Sequence, residues 1–141
     1  MAYISLGYKC NHKCIICPNK NADATIETPQ EQIFKMLDNL KNSGTDVVTI
    51  SGGEPSLHKS FLETIHYATK LGIKTNVLSN GDSLNDMNFV SEIEKAVDKN
   101  LFSITTAFHS CIWQDRSRSE SWTPEMKEKA RQKSLERRAK S

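Results

Sequence analysis

Two rhythms of apolar residues run through the first 110 positions of this chain. Short runs rich in β-formers occur at residues 3–8 (Tyr-Ile-Ser-Leu-Gly-Tyr), 46–50 (Asp-Val-Val-Thr-Ile), 73–78 and 101–108. Such runs, bounded by Gly, Pro, Asn and Ser, predict strands. Between them the spacing changes to three and four. Ile33, Phe34, Leu37 and Leu40 share one helical face, as do Phe61, Ile65 and Ala68 within residues 60–71, and Phe89, Ile93, Ala96 and Val97 within residues 85–98. Thr28, Pro29 and Glu31 predict a capped start for the first helix, with Thr28 as N-cap, and Gly44 and Gly72 are natural stops. The order β-α-β-α-β-α-β with short connections predicts an α/β fold: a parallel sheet with right-handed crossovers. Ligands gather at the carboxyl ends of such strands. Here those ends are the loop after Tyr8, Gly52-Gly53-Glu54, Ser79-Asn80-Gly81 and His109-Ser110, so the unusual chemistry is expected on one rim.

The loop after the first strand carries Cys10, Cys14 and Cys17, three thiols within eight residues. Three ligands are one short of a closed four-coordinate site. A structural zinc site would need a fourth donor, with His12 or Cys111 as candidates. An iron–sulfur cubane held by three thiolates would instead keep one iron open to a small ligand. Gly52 and Gly53 allow backbone to come close to a ligand because no side chain blocks the approach. Glu54 is either a solvated acid after a turn or a carboxylate for a bound ammonium group. Asn80 suits the turn with Gly81 and is also a candidate ligand contact. On the fourth strand, alternation puts Ser103, Thr105, Ala107 and His109 on one face and Phe102, Ile104, Thr106 and Phe108 on the other. His58 and His66, and Cys111 apart from the zinc alternative, carry no role beyond packing or surface.

C-x3-C-x2-C followed by Gly52-Gly53-Glu54-Pro55 resembles the signature of the radical S-adenosylmethionine (SAM) enzymes. The resemblance covers about residues 3–110. It implies a partial (βα) barrel of the radical SAM type and a [4Fe–4S] cluster on Cys10, Cys14 and Cys17 whose fourth iron chelates SAM. It places Gly52, Gly53 and Glu54 at the SAM amino group and Ile16 near the adenine. The family's ribose-binding hydroxyl on the fourth strand aligns with Ala107, leaving Ser103 and Thr105 as nearby candidates. The implied activity is reductive cleavage of SAM to a 5′-deoxyadenosyl radical that takes a hydrogen atom from a substrate. The resemblance also implies an external one-electron donor of the flavodoxin kind. The family builds its half-barrel from six βα units, and four strands are counted here. A sheet ending at the fourth strand exposes an unpaired edge. A shortened remnant that holds a cluster without catalysis, or a chain completed by a second one along that edge, is therefore the alternative expectation.

Composition sharpens this in two places. A chain of 141 residues, 37% hydrophobic and 26% charged, fits one soluble globular domain. No apolar run approaches the ~20 residues of a membrane span, and Lys9 comes too early for a signal peptide. Clustered thiols argue for metal in a reducing cytoplasm rather than a disulfide framework. From Ile112 onward nine basic residues face five acidic ones, so this stretch carries +4 and the rest −2. Residues 111–122 read as linker and 123–141 as a basic tail, helical from Pro124 or disordered. A zinc-dependent nucleic-acid module using that tail is a third expectation, disfavoured because its acids dilute the charge.

Overall fold

The structure, a computed structural model, describes residues 1–14, 17–106 and 132. The chain forms two compact units, Met1–Asn11 with Asn21–Phe108, and His12–Lys20 with His109–Ser141. The first contains four strands, β1 (Ala2–Ser5), β2 (Val47–Ser51), β3 (Lys74–Ser79) and β4 (Phe102–Thr106), with α1 (Gln30–Asn42), α2 (Phe61–Lys70) and α3 (Met87–Ala96) between them. The sheet order is β1-β2-β3-β4 and every pairing is parallel. This is the expected α/β alternation.

Strand period and register divide the sheet into two faces. Ile4 pairs with Ile50, Ile50 with Val77 and Val77 with Ile104, giving one apolar row. Against this face pack Ile33 and Leu37 of α1, Phe61, Ile65 and Ala68 of α2, and Ile93 of α3. The opposite face carries Tyr3, Thr49, Asn76 and Ser103 in a second row. A parallel sheet normally buries both faces and reads apolar throughout. Here the second face is polar and Tyr3 is 63% exposed, which is what the interior of a partial barrel requires. Leu37 of α1 is fully buried in this core cluster. Leu37→Ala is expected to cost about 2–5 kcal/mol, read as a lower urea midpoint.

The ends of two helices differ from the sequence expectation. Thr28 is not the α1 N-cap: that position is Pro29, and no side chain caps it. Thr28 instead donates its hydroxyl to Ser5 O (3.0 Å) and its N–H to Leu6 O (2.9 Å). The end of β1 needed those donors, and it lies 23 residues away in sequence. The third helix begins later than expected, because residues Asp82–Asn85 form a 3₁₀ turn. Asp86 then caps α3, its Oδ1 accepting from the N–H groups of Asn88 (2.9 Å) and Phe89 (3.4 Å).

Candidate functional site

The turn after β2 is built against the chain that enters the cysteine loop. Parallel pairing continues beyond the strands: Leu6 N–H donates to Ser51 O (3.0 Å), Gly53 N–H to Gly7 O (2.9 Å) and Glu54 N–H to Lys9 O (2.8 Å). This closeness explains the two glycines. Gly52 has φ +140°, and a Cβ there would strike Gly7 O, while one at Gly53 would lie 2.5 Å from Tyr8 O. The space that the glycines leave is filled by the chain's own Gly7–Lys9 backbone.

Glu54 is only 3% exposed. Its Oε1 accepts from Ser56 N–H (3.2 Å), Ser56 Oγ (2.7 Å) and Ser79 Oγ (2.8 Å), and its Oε2 accepts from Asn80 N–H (2.7 Å). A buried charge is tolerated only when hydrogen-bonded in this way. The solvated acid considered from sequence is therefore not what the fold contains. The acid ties the β2 turn to the β3 turn. Behind it, His58 links the same segment to the start of α1, with Nε2 3.1 Å from Thr28 O and Nδ1 accepting from Ser60 N–H (3.1 Å).

The cysteines divide between the two units. Cys10 lies in the first and is exposed, whereas Cys14 and Cys17 lie in the second and are half-buried. Cys17 N–H donates to Cys14 O at 3.3 Å. This bond brings the backbones of Cys14 and Cys17 together, which suits two ligands of one centre. Among the described residues, no group of three or more His, Cys, Asp or Glu is gathered as a ligand set. The donor chemistry itself, three soft thiols, fits an iron–sulfur cluster.

Asn80 reaches the cysteine loop. Its Nδ2 donates to Asn11 Oδ1 (2.7 Å), and Asn11 Nδ2 donates to Asp82 Oδ2 (3.2 Å). On the open sheet face, Ser103 and Thr105 are both exposed, as alternation predicts. Each donates its hydroxyl to Asn76 Oδ1 at 3.0 Å. Sequence reasoning passed over Asn11 and Asn76. Asn is depleted in strands, so a lone Asn in the third run was a usable signal. Asn11 offered none, its partners being 69 and 71 residues away. Ile16, Ala107 to Cys111, the 111–122 linker and the basic tail apart from Gln132 lie outside the described residues.

The Radical SAM superfamily sequence model matches residues 4–118. The chain belongs to the radical SAM superfamily. It is 35% identical over 85 residues to the S-adenosylmethionine-dependent nucleotide dehydratase of Selenomonas ruminantium, a match covering 57% of this chain and 31% of that protein. It is 32% identical over 75 residues to the Fe-coproporphyrin III synthase of Methanosarcina barkeri, covering 52% of this chain and 19% of the relative. Among solved structures, Streptococcus suis SuiB bound to S-adenosylmethionine superposes with TM-score 0.64 at 23% identity, over 74% of this chain and 24% of SuiB. The fold of this radical SAM chain is thus the family's partial barrel. The superfamily's cofactors are a [4Fe–4S] cluster and SAM. The chain spans about a third or less of the length of these curated relatives. Among its described residues, no helix is long and apolar enough to cross a membrane.

Proposed function

We propose that this chain is the cofactor-binding part of a radical SAM enzyme, with residues 1–110 as the domain that carries the site. Cys10, Cys14 and Cys17 would hold the cluster, and the Gly52-Gly53-Glu54 turn would receive the amino end of SAM. Asn80, Ser103 and Thr105 would complete the polar wall around SAM, with Ile16 beside the adenine. When bound, these groups supply one-electron cleavage of SAM and hydrogen abstraction from a substrate. The observation that supports this reading is the backbone pairing of Gly7 and Lys9 with Gly53 and Glu54, which brings the residue before Cys10 against the Gly52-Gly53-Glu54 turn. The protein's own part is to hold these groups rigidly and to wall the site from water. The open face offers hydroxyl and amide groups that orient polar ligands without themselves being strong acids or bases. A reducing, cytoplasmic setting and an external one-electron donor of the flavodoxin kind go with this reading, since the thiolates must stay unoxidised.

Anaerobic reconstitution, followed by counting iron and sulfide per chain and measuring 5′-deoxyadenosine release under dithionite, tests the proposal. Close to four irons and four sulfides per chain is expected for one cubane. Zinc alone, with no brown chromophore, would rule it out.

A second reading is a cofactor-binding module that gains its catalytic competence from further strands. Two observations favour it: the small share of each relative that the chain spans, and β4, whose only described hydrogen-bonded neighbour is β3. An unpaired strand edge is a template for another strand, from more chain or from a partner. A lone monomer by light scattering that holds a cluster yet releases no 5′-deoxyadenosine would select this reading.

A further inference from the structure

The Glu54 carboxylate is the best-connected buried polar group in the described chain, and its contacts lead toward the cysteine loop. The carboxylate accepts from four donors on Ser56, Ser79 and Asn80, three of them at Oε1 and one at Oε2. The β3 turn is assembled around it. Ser79 Oγ, while donating to Glu54, accepts Gly81 N–H at 3.0 Å, and Asn80 Oδ1 accepts Asp82 N–H at 3.0 Å. The Asn80 side chain then holds Asn11 (2.7 Å), and Asn11 returns to Asp82 (3.2 Å). These three contacts close a ring of Asn80, Asn11 and Asp82.

Both neighbours of Cys10 are thereby tied to one residue. Lys9 O accepts the Glu54 N–H at 2.8 Å, and Asn11 is held by Asn80, whose own N–H is held by the Glu54 carboxylate. We propose that Glu54 is a positioning residue: through its backbone to Lys9, and through Asn80 to Asn11, it fixes the point at which the cysteine loop leaves the sheet, and so sets Cys10 as a ligand. This rests on the proposed cluster site. It assigns the glutamate's carboxylate an action on the cluster that precedes any contact with SAM.

The test uses Glu54→Gln, Asn11→Ala and the double variant. Gln keeps the shape but turns an NH₂ toward donors that need an acceptor. Asn11 is exposed, so Asn11→Ala leaves the core intact and keeps the test meaningful if Glu54→Gln folds poorly. In the metal-free chain, peptide-resolved hydrogen exchange should show the amides of residues 80–82 exchanging about five- to tenfold faster in Asn11→Ala, the loss of one or two ordinary hydrogen bonds. After anaerobic reconstitution without SAM, both single variants should retain several-fold less iron. Their reduced-cluster electron paramagnetic resonance spectrum should also be altered. The double variant should lose no more than the worse single one, because the two act on one connection. Full iron loading with an unchanged spectrum and only weakened SAM binding in Glu54→Gln would overturn the proposal in favour of direct contact. Unchanged exchange at residues 80–82 in Asn11→Ala would overturn it as well. If the unaltered chain takes up no iron, the proposed function itself fails, while the exchange result still decides whether the connection exists.

Discussion

Alanine at Gly53 is expected to lower stability by about 3–5 kcal/mol and to abolish cluster loading. The added Cβ would lie 2.5 Å from Tyr8 O and closer still to Lys9 O, both of them backbone atoms that cannot rotate away. Relief requires the Gly7–Lys9 segment to move off the β2 turn. That movement breaks the Glu54 N–H to Lys9 O bond (2.8 Å) and the Gly53 N–H to Gly7 O bond (2.9 Å). Overpacking typically costs about 1–3 kcal/mol and each lost hydrogen bond about 1 kcal/mol more. Gly44→Ala is the matched control, because nothing lies within 4 Å of a Cβ there and only its φ of +78° is unfavourable. Its cost should stay near 1–2 kcal/mol, with iron content unchanged. Urea denaturation and iron analysis on both variants separate the outcomes. Gly53 itself has no positive φ, so equal losses at the two positions would show that the close approach of the two chain segments is not what makes Gly53 necessary.

Removing a thiol should have the larger chemical effect. Cys17→Ala is expected to cut the iron retained per chain by more than tenfold and to eliminate 5′-deoxyadenosine release, while the urea midpoint of the metal-free chain shifts little. Even residues that only support a metal ligand cost about 10- to 100-fold in metal affinity when changed, and here a ligand itself is lost. Cys17 is half-buried and its N–H donates to Cys14 O. Alanine keeps that backbone bond, so the loss isolates the sulfur. His12→Ala distinguishes the competing metal. A closed zinc site requires a fourth protein donor, so zinc retention that depends on His12 would replace the iron reading with a structural knot. Iron retention indifferent to His12 is the expected result.

Where its partners lie is why the sequence does not reveal Glu54 as an anchor. Ser56 is two residues away, but Ser79 and Asn80 are 25 and 26 residues away. No local pattern distinguishes an acid facing a ligand from one buried beneath a turn. Thr28 shows the same thing on a smaller scale: T-P-x-E is a sound capping signal, yet the free donors of that threonine went to the end of β1. Strand four was legible because alternation is a property of the strand alone, so Ser103 and Thr105 fell on the open face as expected. That both would meet on Asn76 required the register of β3 against β4.

By itself the sequence determined the alternation of strands and helices, the apolar faces that form the core, and the family to which two short motifs pointed. These are local quantities: periods of two and about 3.6, and the chemistry of thiols and glycines a few residues apart. Only the tertiary structure decided what the paired glycines make room for, which donors meet the buried glutamate, and that Asn11 meets Asn80. Those contacts join segments up to 69 residues apart, and they are chosen by sheet register and by the demand that every buried polar group find a partner.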